Sequence, residues 1–226
     1  MEALECNMLQ VGSSDSLDIV TSRENIVSDL KELADLLAER GFYLAYENWC
    51  WSTHAPDWKA VWEIVEAVGR PNIGLCLDTF QSAGGEWADP TTASGIIETS
   101  ASREELEERF SLSLQELSET IPKDKIYILQ ISDAYQVRLD DRVDAQGLRP
   151  RGQWSSKYRP PPFQGGYLPV ADVAKAVLKT GFRGWFSMEV FDGGPQGDAG
   201  SWNNLPAYTQ QAMQAHKQLL AACADH

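Results

Sequence analysis

The sequence predicts an α/β fold: about five strand–helix units of a (β/α)8 barrel, in a single domain spanning residues 1–226. Three observations predict it. Short apolar runs recur along the chain, and a helical pattern follows each one. Four of these runs end in an oxygen-bearing side chain, namely Glu47, Asp78, Gln130 and Glu189, and parallel barrel strands open their C-terminal ends on one common face. No Gly-rich phosphate turn follows any strand, which argues against a doubly wound open sheet.

The elements follow in order. Met8-Leu9-Gln10-Val11 reads as the first strand, turned by Gly12-Ser13-Ser14. Thr21 and Glu24 have capping-box spacing. Ile26, Val27, Leu30, Leu33 and Leu37 form an apolar stripe at helical spacing that Gly41 ends. The second strand runs from Phe42 to Glu47, and a Trp-rich loop leads to a helix over 57–68, stopped by Gly69 and Pro71. The third strand, Ile73 to Asp78, leads into a long loop rich in Gly, Ser and Thr. Ser102 and Glu105 repeat the capping-box spacing, and Leu106, Phe110, Leu114, Leu117 and Ile121 mark the helix they open. The fourth strand runs from Ile126 to Gln130. A second long loop, 136–168, is rich in Arg, Pro and Gly, and loops of that length in a compact domain are usually functional or disordered. Val170, Val173, Ala174, Val177 and Leu178 mark a short helix, Gly184 to Glu189 the fifth strand, and 206–222 the last helix.

Composition narrows the function. A chain of 226 residues, 43% hydrophobic with eight Trp, is long enough for one sizeable core. A formal net charge of −14, from 19 basic and 33 acidic residues, opposes binding to a phosphate backbone. It favours a small ligand, and an anionic one would need a cation or an Arg nearby. No apolar segment is long enough to span a membrane, and the first residues lack the pattern of a signal peptide. Cys6, Cys50, Cys76 and Cys223 are far apart, which reads as reduced thiols and a cytoplasmic protein. Only His54, His216 and His226 are present, too few for a His-rich zinc cluster.

Three carboxylates and one amide at four strand ends would form a ring of oxygen ligands, the set that hard divalent cations such as Mg²⁺ and Mn²⁺ prefer. Trp49, Trp51, Trp58 and Trp62 crowd the loop after Glu47. Some of them are expected to line a pocket, with Trp58 and Trp62 packing from a helix face. Asp133 is expected to orient a ligand or to cap a turn.

Four segments carry a family resemblance: Tyr46-Glu47-Asn48-Trp49-Cys50-Trp51, Gly74-Leu75-Cys76-Leu77-Asp78-Thr79-Phe80, Leu129-Gln130-Ile131-Ser132-Asp133-Ala134 and Ser187-Met188-Glu189-Val190-Phe191. The chain resembles the sugar-phosphate isomerase/epimerase barrels related to xylose isomerase, and within them the 3-dehydroshikimate dehydratases. The resemblance covers almost the whole chain, as units four to eight of a family TIM barrel, and implies that the first three are missing. It also implies that Glu47, Asp78, Gln130 and Glu189 bind one divalent metal, Mg²⁺, Mn²⁺ or Co²⁺, and that the substrate is 3-dehydroshikimate, dehydrated to protocatechuate in quinate and shikimate breakdown. The metal would polarise a ketone, a base would take the neighbouring proton, and a β-hydroxyl would leave with acid help.

Within that resemblance His54 is a candidate acid/base or substrate contact, and a sugar or hydroxy-ketone isomerase/epimerase would use Glu47 and Glu189 as a proton-transfer pair beside the metal. Arg159, ahead of Pro162-Phe163-Gln164-Gly165, matches a segment whose Arg grips the substrate carboxylate, with Arg149 and Arg151 as rival positions. Trp51 and Gln81 are further candidate substrate contacts. Gln81 stands where many relatives carry His, and it cannot act as a base. Either the chain is truncated or it pairs with another chain, including a second copy of itself, to close the barrel. Two other readings stay open: a sugar or hydroxy-ketone isomerase/epimerase on the same scaffold, and a catalytically silent fragment or interaction module. No nucleic-acid or membrane partner is expected.

Overall fold

Strand alternation sorts the chain into a packed side and a site side. The computed structural model describes residues 1–16, 19, 22–98, 102–198 and 204–224. Five parallel strands form one sheet: β1 (Met8–Gly12), β2 (Tyr43–Glu47), β3 (Ile73–Asp78), β4 (Ile126–Ile131) and β6 (Trp185–Met188), in that spatial order. Leu44, Tyr46, Leu75, Leu77, Leu129 and Ile131 point to the helices and are buried in one core. Gln10, Glu47, Asp78 and Gln130 lie on the opposite, concave face, in register across the strands: Gly12 opposite Glu47 and Asp78 opposite Gln130. The sheet is an open half-barrel. Among the described residues β1 and β6 each pair on one side only.

The helices cover the convex face. They begin where the sequence supplies a cap. Ser22 caps α1 (Arg23–Ala38) by accepting from the Asn25 N–H, and Asp57 caps α2 (Trp58–Val68) by accepting from Ala60 N–H. The expected cap Thr21 lies outside the described residues. Ser102 and Glu105 close a reciprocal capping box at the start of α4 (Arg103–Thr120). Gly69 ends α2 in the left-handed conformation, as anticipated. Helices α6 (Val170–Lys179) and α7 (Leu205–Ala224) complete the layer. No helix among the described residues is long and apolar enough to cross a membrane.

Both long loops carry structure that periodicity did not reveal. Residues expected as loop after Asp78 form α3 (Thr79–Glu86), opened by Asp78 itself, whose Oδ1 accepts the Phe80 N–H at 2.7 Å. Six of its eight residues are buried, so it has no polar face to give a helical stripe. The second loop contains α5 (Pro150–Lys157), with Pro150 at its first position, and the two-residue strand β5 (Tyr158–Arg159). Strand β5 pairs antiparallel with β7 (Phe191–Asp192). It also docks on the extension of β4, where Asp133 N donates to Pro160 O and Tyr135 N to Tyr158 O, both at 2.9 Å. This strap crosses the C-terminal ends of the strands and carries Arg159 into the site.

Candidate metal centre

The ends of β2, β3 and β6 bring Glu47, Asp78 and Glu189 together, with one carboxylate oxygen of each within 4.8 Å of the others. Glu47 and Asp78 are fully buried, and the Glu189 side chain keeps 25% of its exposure. Glu47 Oε2 accepts from Gln10 Nε2 at 2.7 Å and from Trp49 Nε1 at 3.2 Å. Its Oε1 is buried with no hydrogen-bond partner among the described residues. Trp49 reaches that position only because residue 12 is glycine: a Cβ there would stand 2.3 Å from the indole.

Gln130 adjoins the cluster through its nitrogen. Its Nε2 donates to Glu189 Oε1 at 2.9 Å and to Gln10 Oε1 at 3.1 Å, while its Oε1 accepts from Cys76 Sγ at 3.2 Å. Offering oxygen to a cation requires a half-turn of the amide, a rotation that hydrogen-bonding geometry alone decides.

Three like charges in a buried site disfavour full ionisation. Burial, then the Asp78 and Glu189 charges, push Glu47 well above the ordinary carboxylate range. Burial, with Asp78 next, pushes Glu189 up to about 7. An all-oxygen donor set and an unpartnered buried carboxylate oxygen both suit a divalent cation, which would relieve the repulsion and the missing contact together. Glu47, Asp78 and Glu189 are the residues fit to hold it.

The other expected site residues are placed as follows. Arg159, expected to face a substrate carboxylate, turns inward. It is 1% exposed, and its Nη2 binds Asp78 Oδ2 at 2.5 Å and Glu189 Oε2 at 3.0 Å. Gln81, expected to touch substrate, is buried in the wall, where its Oε1 accepts the Cys50 N–H at 2.9 Å. His54 is half-buried, with Nε2 2.9 Å from the Tyr46 hydroxyl, and burial lowers its pKa. Trp51 stacks on Trp49 at 5.3 Å and borders a cleft of about 340 Å³ with Arg149 and Arg151. Arg151 is tied to Gly84 O and Ala88 O. Asp133 does not reach the cluster. It accepts the N–H groups of Ala134, Leu168 and Phe163, acting as a turn cap.

Gln10 and Ser132 are site residues that the sequence did not single out, and Trp49, one of the four Trp expected around a pocket, donates to Glu47. Gln10 lies in register with Ala45, two positions before Glu47. A polar residue inside an apolar β1 run was the available signal.

The sequence profile of the family described as xylose isomerase-like TIM barrel matches residues 1–219. The chain is 36% identical over 189 residues to a 3-dehydroshikimate dehydratase of Neurospora crassa, covering 79% of this chain and 49% of that protein. It is 27% identical over 194 residues to the 3-dehydroshikimate dehydratase of Pseudomonas aeruginosa, covering 86% of this chain and 25% of the relative. The chain therefore spans about half the length of the first relative and a quarter of the second. Among solved structures it is similar to a xylose isomerase-like TIM barrel/4-hydroxyphenylpyruvate dioxygenase fusion protein, with TM-score 0.74 and 23% identity over 99% of this chain and 29% of that one. It is also similar to the IOLI protein with a bound zinc atom, with TM-score 0.65 and 19% identity over 95% of this chain and 63% of that one. Likeness at these identities speaks for the fold.

Proposed function

The chain belongs to the xylose isomerase-like TIM-barrel family, and from that premise we propose that it carries the metal centre of a 3-dehydroshikimate dehydratase, a lyase that yields protocatechuate. The observation that carries this reading is the convergence of Glu47, Asp78 and Glu189 at three strand ends, in a chain 36% identical to a dehydratase of that name. A bound divalent ion, Mg²⁺, Mn²⁺ or Co²⁺, would polarise the substrate's ketone and acidify the neighbouring C–H. Glu189 is suited to move that proton. It is the most accessible of the three acids, so its carboxylate is the one a substrate can reach. Loss of the β-hydroxyl with one proton releases water, and aromatisation of the ring drives the step. Gln10 and Trp49 hold Glu47 in place, and Gln130 holds Glu189. His54 and Trp51 border the same loop and are the remaining candidates for proton transfer and substrate contact.

The test measures protocatechuate absorbance from 3-dehydroshikimate with added Mn²⁺, on this chain and on a version carrying an upstream three-unit segment. Turnover should appear with Mn²⁺, vanish with EDTA, and fall at least about a hundredfold in Glu189→Gln. Epimerisation of a ketohexose without protocatechuate would move the assignment to an epimerase. Mn²⁺ binding with no turnover of either substrate would leave a metal-binding module.

A further inference from the structure

We propose that Arg159 remains inside the metal centre as a fixed positive charge that matches the centre to a divalent ion; the inference rests on the metal-centre reading above. With a cation bound and all three carboxylates ionised, they contribute three negative charges and the guanidinium one positive, which leaves −2, the charge a divalent ion cancels.

Each nitrogen of the Arg159 guanidinium has a partner. Nε donates to Ser132 Oγ at 2.8 Å, Nη1 to Ser155 Oγ at 3.3 Å, and Nη2 to Asp78 and Glu189. The guanidinium lies over the Phe80 ring at 4.5 Å and the Phe191 ring at 5.5 Å, two cation–π contacts from separate elements. Its backbone is held from both sides, by Phe191 in β7 and, through the adjacent Pro160 carbonyl, by Asp133 N. Swinging out would break all of these contacts together. A carboxylate oxygen has lone pairs for more than one partner, so Asp78 and Glu189 can keep the arginine and still face a cation. Glu47 Oε1, with no hydrogen-bond partner among the described residues, remains for the ion. Arg159 is thus a positioning and charge-setting residue, and an anionic substrate meets another group.

The experiment compares Tb³⁺ and Zn²⁺ binding to wild type, Arg159→Met and Arg159→Lys by competition with a chromophoric chelator. Removing the fixed charge favours a trivalent ion over a divalent one, so the Tb³⁺/Zn²⁺ affinity ratio should rise at least about tenfold in Arg159→Met and stay near wild type in Arg159→Lys. An unchanged ratio in Arg159→Met overturns the proposal. Should Arg159→Met fail to fold, the wild type decides through NMR of the Arg159 Nε–H. A resonance that persists, still bonded to Ser132, in zinc-saturated protein supports the proposal, and its loss overturns it. Failure of wild type to bind Zn²⁺ removes the metal-centre reading itself, whereas Zn²⁺ binding with an unchanged ratio removes only the role of Arg159.

Discussion

Asp133 shows how one buried acid ties a loop to a strand end. Its carboxylate accepts three backbone N–H groups from both ends of the segment it closes. Burial nevertheless outweighs those bonds and pushes its pKa up to about 6 from an ordinary 3.8. The folded protein therefore binds this proton more tightly than the unfolded chain does. The group's contribution to stability is fully present below pH 3.8 and is lost as pH rises through 6, about 3 kcal/mol in all. The Asp133 carboxyl carbon should titrate near 6 by NMR, and a midpoint below 4 contradicts this account. Asp133→Asn cannot bind that proton, so its stability deficit relative to wild type should shrink as pH rises from 4 to 7. Trp49 acts at the same scale. Trp49→Phe keeps a ring against Trp51 but loses the bond to Glu47, and zinc affinity should fall about tenfold in a chelator competition.

At the scale of elements, close approach and capping make two further predictions. Gly166 lies so near Asp133 that a Cβ would stand 2.1 Å from its carboxyl carbon. Gly166→Ala should cost about 2 kcal/mol in urea unfolding, because the loop must move off its cap. Ser102→Ala removes one half of the α4 capping box and should cost about 1 kcal/mol; no measurable loss would mean that the cap is not holding the helix. The strands and their terminal acids were legible because buried parallel strands are continuous apolar runs, and one polar residue at the end of such a run stands out. Helix α4 was legible from its box and its stripe. Helix α3 was not, because a helix buried on nearly all sides has no period to read. Strand β5 was not, because two residues have no period at all. That gap hid the inward turn of Arg159. The residue type pointed to an anion partner, but only the strap shows that the anions are Asp78 and Glu189.

The whole molecule sets two forces against each other. The open sheet leaves apolar side chains on its concave face: Trp185 is 79% exposed and Tyr43 44% exposed, with Tyr43 edge-on to Tyr127 at 5.4 Å. Strand β6, which carries Trp185, also has one unpaired edge among the described residues. Bare strand edges and apolar patches favour self-association. The net charge of −14 opposes it, through repulsion that reaches only about one Debye length. Salt shortens that length from roughly 30 Å at 0.01 M to about 3 Å at 1 M and leaves the apolar attraction in place. Sedimentation should therefore show the weight-average mass of wild type rising with salt. Trp185→Lys should suppress the rise, because it removes the most exposed aromatic and sets a charge against the edge. Its thermal stability should stay close to wild type, since a side chain this exposed buries little on folding. A mass that falls with added salt would mean that charge pairing, and not the open apolar face, holds the copies together.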